Sequence, residues 1–293
     1  MTVSRFSDTI RHHCRPLQPL PSNIEPKLNV VPGIRAVLFD VYGTLMVSAS
    51  GDIGLGTCEH RANALQETCE QFRLALKNSA EEATQVFEQT VRDDHACSRS
   101  KGIEHPEIDI VEIWRRVLAE TVNGAATDVD LEQFAVEFEL RVNPIWPMRD
   151  VEKTVTQLSD AGMILGVVSN AQFFTAPLFP ALVGHPLEEL GFSPKLLYFS
   201  YEHGQAKPGT FLYEAAKNQL ASLQVAAADT LYVGNDMLND VFAAASVGFR
   251  TALFAGDARS LRWRDNDPRT HGIRPDIIVT DLIQLIECVI DMS

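Results

Sequence analysis

The chain lacks the features that would set it apart from ordinary soluble enzymes. Its five cysteines (Cys14, Cys58, Cys69, Cys97, Cys288) are odd in number, scattered and without a C-x-x-C pair. That pattern argues against a disulfide framework or a thiolate zinc site and suits reduced thiols in the cytoplasm. No stretch approaches the roughly 18 apolar residues of a membrane helix, and the first residues carry charges and prolines without the apolar core of an export signal. Basic side chains are scarce, 25 against 39 acidic, for a formal charge of −14. A field of that sign repels nucleic acid and anionic membrane, so neither is an expected partner. It repels small anions too, so a site for phosphate or carboxylate needs a local Lys, Arg or metal. No internal repeat is visible, and the composition fixes no oligomeric state.

What is present is globular in kind: 293 residues, 45% hydrophobic and 22% charged, enough for one large α/β domain with a smaller insertion. Residues 1–32, with several prolines and the adjacent His12 and His13, read as a flexible leader or surface strap, the histidines as a solvated tail rather than a metal site. Regular structure is expected from IRAVLFD (34–40), a short apolar run that breaks into Asp-Val-Tyr-Gly-Thr. Similar runs recur at 163–169, 195–200, 230–234, 249–255 and 276–280. Helical patterns lie between them at 150–161, 171–190, 208–224, 238–247 and 281–291, with Gly162, Gly191 and Gly248 where helices should end. Strands alternating with helices predict an α/β fold with a doubly wound parallel sheet. The stretch 55–142 breaks this alternation with helical patterns at 57–77, 80–99, 107–123 and 128–142. It is expected to be a helical cap inserted in a core made of 33–54 and 143–293, with NPIWP (143–147) as the hinge back.

In an open parallel sheet, ligands collect at the carboxyl ends of the strands. The polar residues just past each expected strand are therefore candidates: Asp40, Tyr42 and Thr44; Ser169 and Asn170; Ser200, Glu202 and Lys207; Asn235, Asp236, Asn239 and Asp240. A carboxylate at a strand end can act as a nucleophile. Ser169, Thr44 and nearby N–H groups can hold an anion, and Lys207 supplies fixed positive charge. Asp40, Asp236 and Asp240 offer hard oxygen ligands suited to Mg²⁺.

Four segments, in order, resemble the signatures of the haloacid-dehalogenase-like hydrolase superfamily: VLFDVYGTL, VVSNA, SYEHGQAKPGTFLYEAA and LYVGNDMLNDVFAAASVGFRTAL. The resemblance implies a Rossmann-like core with an inserted helical cap and Asp40 as covalent nucleophile. It places Lys207 beside Asp40 in catalysis and gives Ser169, with Thr44 and Asn170, the task of holding the substrate anion. It implies Mg²⁺ held by Asp40, the backbone carbonyl of Tyr42, Asp236 and Asp240, with Asn235 and Asp236 competing for one place. The substrate would be a small anionic molecule. One departure stands out: family phosphatases usually carry an Asp two residues after the nucleophile, where this chain has Tyr42. The superfamily's 2-haloacid dehalogenases have Tyr or another non-acidic residue there, because halide leaves without a proton, and they need no metal. They also carry an Arg early in the cap, for which Arg61 and Arg73 are the candidates here.

The leading expectation is a Mg²⁺-dependent phosphatase acting through an aspartyl-phosphate on Asp40. The alternatives are a 2-haloacid dehalogenase using the same nucleophile on carbon, and a non-catalytic binding protein on the same fold. Plainer readings stand beside these: Ser169 and Asn170 as helix caps, Asp236 or Asp240 as a helix N-terminal charge, Tyr42 as packing. His95, Arg99 and Lys101 of the cap read as an exposed helix end that can also face the site.

Overall fold

A computed structural model describes residues 5–51, 58–124 and 128–290; residues 1–4 of the expected leader, 52–57 and 125–127 at or in the expected cap, and 291–293 lie outside the described residues. In chain order the strands are β1 (Ala36–Phe39), β2 (Met46–Ser48), β3 (Ile145–Pro147), β4 (Ile164–Ser169), β5 (Phe192–Phe199), β6 (Thr230–Gly234), β7 (Arg250–Phe254) and β8 (Ile277–Val279). The helices are α1 (Ser7–His13), α2 (Cys58–Gln71), α3 (Ala80–Ser100), α4 (Ile110–Thr121), α5 (Leu131–Val142), α6 (Val151–Asp160), α7 (Thr175–Leu178), α8 (Ser200–His203), α9 (Phe211–Ser222), α10 (Ala243–Ser246) and α11 (Leu285–Val289).

Six strands form one parallel sheet in the order β5-β4-β1-β6-β7-β8. β1 lies between β4 and β6, and its alternation sorts its side chains: Val37 and Phe39 enter the core on one face, Ala36 and Leu38 the core on the other. A strand buried on both faces must be apolar throughout, which is why Ala-Val-Leu-Phe has no polar member. Burial of a Val, Leu or Phe side chain contributes about 1.5–3 kcal/mol each. The first polar side chain that β1 delivers is Asp40, at its carboxyl end.

The segment expected to be a hinge is a strand. Ile145–Pro147 pairs antiparallel with β2, Val47 opposite Trp146. The two passages of chain between core and cap thus run side by side, joined further by Asn143, whose Oδ1 accepts from Ser48 Oγ (2.8 Å) and Ser50 N (3.1 Å). The helix expected over 171–190 is also interrupted: α7 opens into a wide turn at Phe179–Val183 that includes Pro180 and ends at Gly184 in the left-handed region. Pro180 has no N–H to donate to the preceding turn.

The helices α2–α5 bury a cluster of rings, with Trp114 against Phe87, Phe134 and Phe138. Ser79, Asp109 and Asp130 cap α3, α4 and α5 with their side-chain oxygens. The loop between α3 and α4 reaches the carboxyl edge of the sheet. There Ala206 N donates to His105 O (2.8 Å) and Glu107 N to Gly204 O (3.1 Å). Ser200 Oγ donates to Glu107 Oε2 (2.6 Å), and Gln172 Nε2 to Glu107 Oε1 (3.2 Å). The loop between α3 and α4 is thereby bonded to the segments after β4 and β5.

The described residues of the segment expected to be a flexible leader or surface strap pack as a strap. Phe6, Ile10 and Cys14, spaced four apart, present one apolar face of α1 to the main core. Thr9 and His13 bond Glu137 of α5, while Arg11 donates to Ala181 O on the core side. Farther along, Lys27 bridges to Ile278 of β8. Apolar residues at helical spacing need a partner surface, and here the groove between cap and core provides it.

Candidate active site

Asp40 follows β1 with its backbone N–H donating to Val233 O (2.9 Å), and only 6% of the residue is exposed. Among the described residues, both hydrogen bonds that reach its carboxylate land on Oδ1: from Ser169 Oγ (2.8 Å) and Lys207 Nζ (2.7 Å). Ser169 ends the adjoining strand β4. Lys207 sits in the loop after α8, its backbone clamped by Asn170. Lys207 N donates to Asn170 Oδ1 (2.7 Å), and Asn170 Nδ2 donates back to Lys207 O (3.2 Å).

The ammonium of Lys207 also donates to Asp240 Oδ1 (2.6 Å) and Tyr232 OH (3.1 Å). Burial alone would pull its pKa down, but the carboxylates of Asp240 and Asp40 hold it well above the ordinary lysine value. Burial pushes the Asp240 carboxyl up to about 7, opposed by Lys207 and reinforced by Asp40. Gly234 makes room for this packing: a Cβ there would lie 2.3 Å from Asp240 Cγ. Tyr232 OH in turn donates to Val168 O (2.7 Å), fixing a phenol between the lysine and the neighbouring strand.

The rest of the expected set is engaged elsewhere. Asp236 Oδ1 caps the following turn, accepting from Leu238 N (2.8 Å) and Asn239 N (3.0 Å). Its Oδ2 accepts from Arg264 Nη2 (2.5 Å) and Nε (2.9 Å). Asp240 Oδ2 accepts from Asp236 N (2.9 Å). Thr44 Oγ1 donates to Asn235 Oδ1 (3.1 Å), so that hydroxyl is turned away from the Asp40 carboxylate, and Asn235 Nδ2 donates to Ser260 O (2.6 Å). Tyr42 OH pairs with Thr175 Oγ1 (2.8 Å), and burial pushes the phenol pKa far up.

Of the donors expected to hold Mg²⁺, Asp236 and Asp240 are engaged by side-chain cations in this structure. An octahedral Mg²⁺ takes carboxylate oxygens with free lone pairs and some waters. Asp236 is neutralised by a guanidinium, Asp240 by an ammonium, and the remaining fourth-signature position carries the neutral amide of Asn235. The positive charge beside Asp40 is the ammonium of Lys207. No group of three or more His, Cys, Asp or Glu suited to a metal occurs among the described residues.

One cavity adjoins the nucleophile, and a second shares a single wall residue with it. The first, of about 40 Å³, is lined by Asp40, Tyr42, Asn170, Lys207, Asn235, Asp236, Asn239, Asp240 and Arg262, room for a water or two. The other, of about 590 Å³, lies between cap and core, and Asn170 lines both. Of the cap residues singled out from sequence, Arg61 and His95 line the larger cavity, Arg61 paired with Glu88. Arg73, Arg99 and Lys101 are exposed and do not line it. Sequence reasoning missed Tyr232, Arg264, Thr175 and Glu107. Tyr232 was legible in principle, as a hydroxyl inside an otherwise apolar strand; Arg264 was not, because nothing local ties it to Asp236.

The profile of the haloacid dehalogenase-like hydrolases matches residues 34–248, and the chain belongs to this family of hydrolases. No curated protein sequence matches it. Among solved structures it is similar to a 2-haloacid dehalogenase from Pseudomonas syringae pv. Tomato, at 20% identity and TM-score 0.57 over 87% of this chain and 97% of that one. It is also similar to a HAD phosphatase from Thermococcus onnurineus, at 17% identity and TM-score 0.51 over 87% and 97% of the two chains. Likeness at these identities speaks to the fold, with dehalogenases and phosphatases both represented.

Proposed function

We propose that the protein is a metal-independent hydrolase acting at carbon, a dehalogenase of 2-halo acids. The observation that carries this reading over the phosphatase expected from sequence is the engagement of Asp236 by Arg264 and of Asp240 by Lys207, which leaves Asp40 without companion metal ligands. Tyr42 supports it: a buried phenol bonded to Thr175 cannot protonate an alkoxide at neutral pH, and a departing halide requires no proton.

The steps follow from the two oxygens of Asp40. Ser169 and Lys207 hold Oδ1, and Oδ2 attacks the carbon next to the substrate carboxylate. The carbon–halogen bond breaks with its electron pair on the halide, and an ester forms on Asp40. Water from the small cavity then adds to Asp40 Cγ, Asp240 takes its proton, and the bond from Cγ to Oδ2 breaks. The departing alkoxide takes the proton back from Asp240 to leave as the 2-hydroxy acid, while the regenerated Asp40 carboxyl loses the net proton to solvent. Ser169 and Lys207 stabilise the oxyanion of that addition. Substrate, water and products balance as halo acid plus water giving hydroxy acid, halide and a proton. Arg61, paired with Glu88 in the wall of the larger cavity, is the candidate cation for the substrate carboxylate, which would have to draw it from Glu88.

Halide release from 2-chloropropionate, measured after EDTA treatment and again with added Mg²⁺, tests this reading. The expected result is release at the same rate in both. Phosphate release from p-nitrophenyl phosphate that depends on Mg²⁺, without halide release, would overturn it.

A further inference from the structure

The larger cavity is oversized for a two- or three-carbon acid. At about 590 Å³ it falls in the range that encloses ligands of drug size, about 300–1,000 Å³. A methyl group, which is all that 2-chloropropionate offers beside its carboxylate and halogen, would leave most of it to water. The composition of the wall is equally uneven. Phe87 and Val91 of α3, Ile108 and Ile110 at the start of α4, and Phe174 before α7 supply carbon surface from three sides. His95 and Glu139 also line the cavity, and the other charged groups in the wall are engaged with one another or with the core. Arg61 and Arg92 both pair with Glu88. Glu107 accepts from Ser200 Oγ (2.6 Å), Ile108 N (2.9 Å) and Gln172 Nε2 (3.2 Å). What faces an occupant is therefore mostly apolar.

We infer that the side chain of the substrate is a large apolar group, phenyl or branched alkyl in class, seated between α3, the start of α4 and Phe174. This rests on the dehalogenation reading, which places the reacting carbon at Asp40. Because Asn170 borders both cavities, a substrate carbon at Asp40 directs its substituent past Asn170 into the apolar chamber. Polyhydroxylated groups are disfavoured there, since each hydroxyl entering an apolar wall loses hydrogen bonds to water without a replacement.

The test compares chloride release from 2-chloro-3-phenylpropionate and 2-chloropropionate, which share leaving group and reacting centre. The phenyl substrate is expected to have at least a tenfold higher kcat/KM, since a single buried methylene can be worth about tenfold or more. Val91→Asn, which places an amide in the wall, is expected to reduce that ratio severalfold. Val91→Phe, which narrows the chamber, is expected to reduce it too and guards against misfolding of the first variant; melting curves verify both. A ratio near one or below in the wild type overturns the inference while leaving dehalogenation standing. If neither acid releases chloride, the dehalogenation reading falls, and calorimetry with 3-phenyllactate and lactate judges the chamber. Phenyllactate at least tenfold tighter upholds it, and equal binding overturns it.

Discussion

At the scale of single residues, the site is organised around one ammonium. Lys207 lies between Asp40 and Asp240, within 2.7 Å of both carboxylates and buried with them. Lys207→Met would leave two adjacent buried carboxylates without a cation, and removing one partner of a buried pair costs about 3–5 kcal/mol. A urea midpoint lowered to match, together with loss of turnover, is expected; an unchanged midpoint would show that the pair is not held as described. Asp40→Asn is expected to abolish turnover with the fold intact, because an amide cannot attack, and normal activity in that variant would remove the covalent mechanism. The Asp240 carboxyl, raised to about 7, must be ionised to accept the proton of water. Its folded pKa lies above the ordinary one, so the basic form is lost as pH falls through about 7. Turnover is therefore expected to rise with pH through that value to a plateau, and a flat profile between pH 5 and 9, measured by halide release, would exclude Asp240 as the base. Asp40, Ser169, Asn170 and Lys207 were legible in sequence because each follows or adjoins a strand end. The capping role of Asp236 was among the readings of the sequence, but its partner Arg264 is 28 residues away, and only the folded chain brings a guanidinium to it.

At the scale of elements, the strap α1 joins what sequence reading had left separate. The sheet and the cap helices were legible because their apolar periodicity is strong; β3 was not, since Asn-Pro-Ile-Trp-Pro carries turn residues and pairs with only three residues of β2. The strap was one of two readings of the proline-bearing leader, and the helical stripe of Phe6, Ile10 and Cys14 is what favours it over a flexible tail. Removing residues 1–17 is expected to lower stability by at least about 3 kcal/mol, from Phe6 and Ile10 alone. An unchanged urea midpoint would mean that the strap does not contribute. The polar side of the strap carries its own signature. Burial pushes the Glu137 carboxyl up, but bonds from His13, Arg141 and Gln71 outweigh it and take the pKa down to about 2. A depressed carboxylate contributes stability that is present above about 4.5 and lost as pH falls toward 2. Glu137→Gln should therefore be less stable than the wild type at pH 7, with the gap closing toward pH 2. A gap that persists unchanged to the acid limit would contradict the ion-pair account.

At the scale of the whole molecule, a chain with formal charge −14 buries the ammonium of Lys207 between two carboxylates, and on the proposed reading it must draw an anion against its own field. No helix among the described residues is long and apolar enough to cross a membrane. The net field slows approach of a halo acid until salt screens it, so kcat/KM is expected to rise with ionic strength over the range in which the Debye length falls from about 30 to about 10 Å. The central claim is that Asp40, without metal, forms a carbon ester that water then cleaves at the carboxyl carbon. Its most direct test is a single turnover of 2-chloropropionate by EDTA-treated protein in water enriched in oxygen-18. The account predicts that the first hydroxy acid released carries ordinary oxygen, taken from Asp40, and that the heavy label appears in the Asp40 carboxylate by mass spectrometry of its peptide. Heavy oxygen in the product of that first turnover, with none in Asp40, would contradict it.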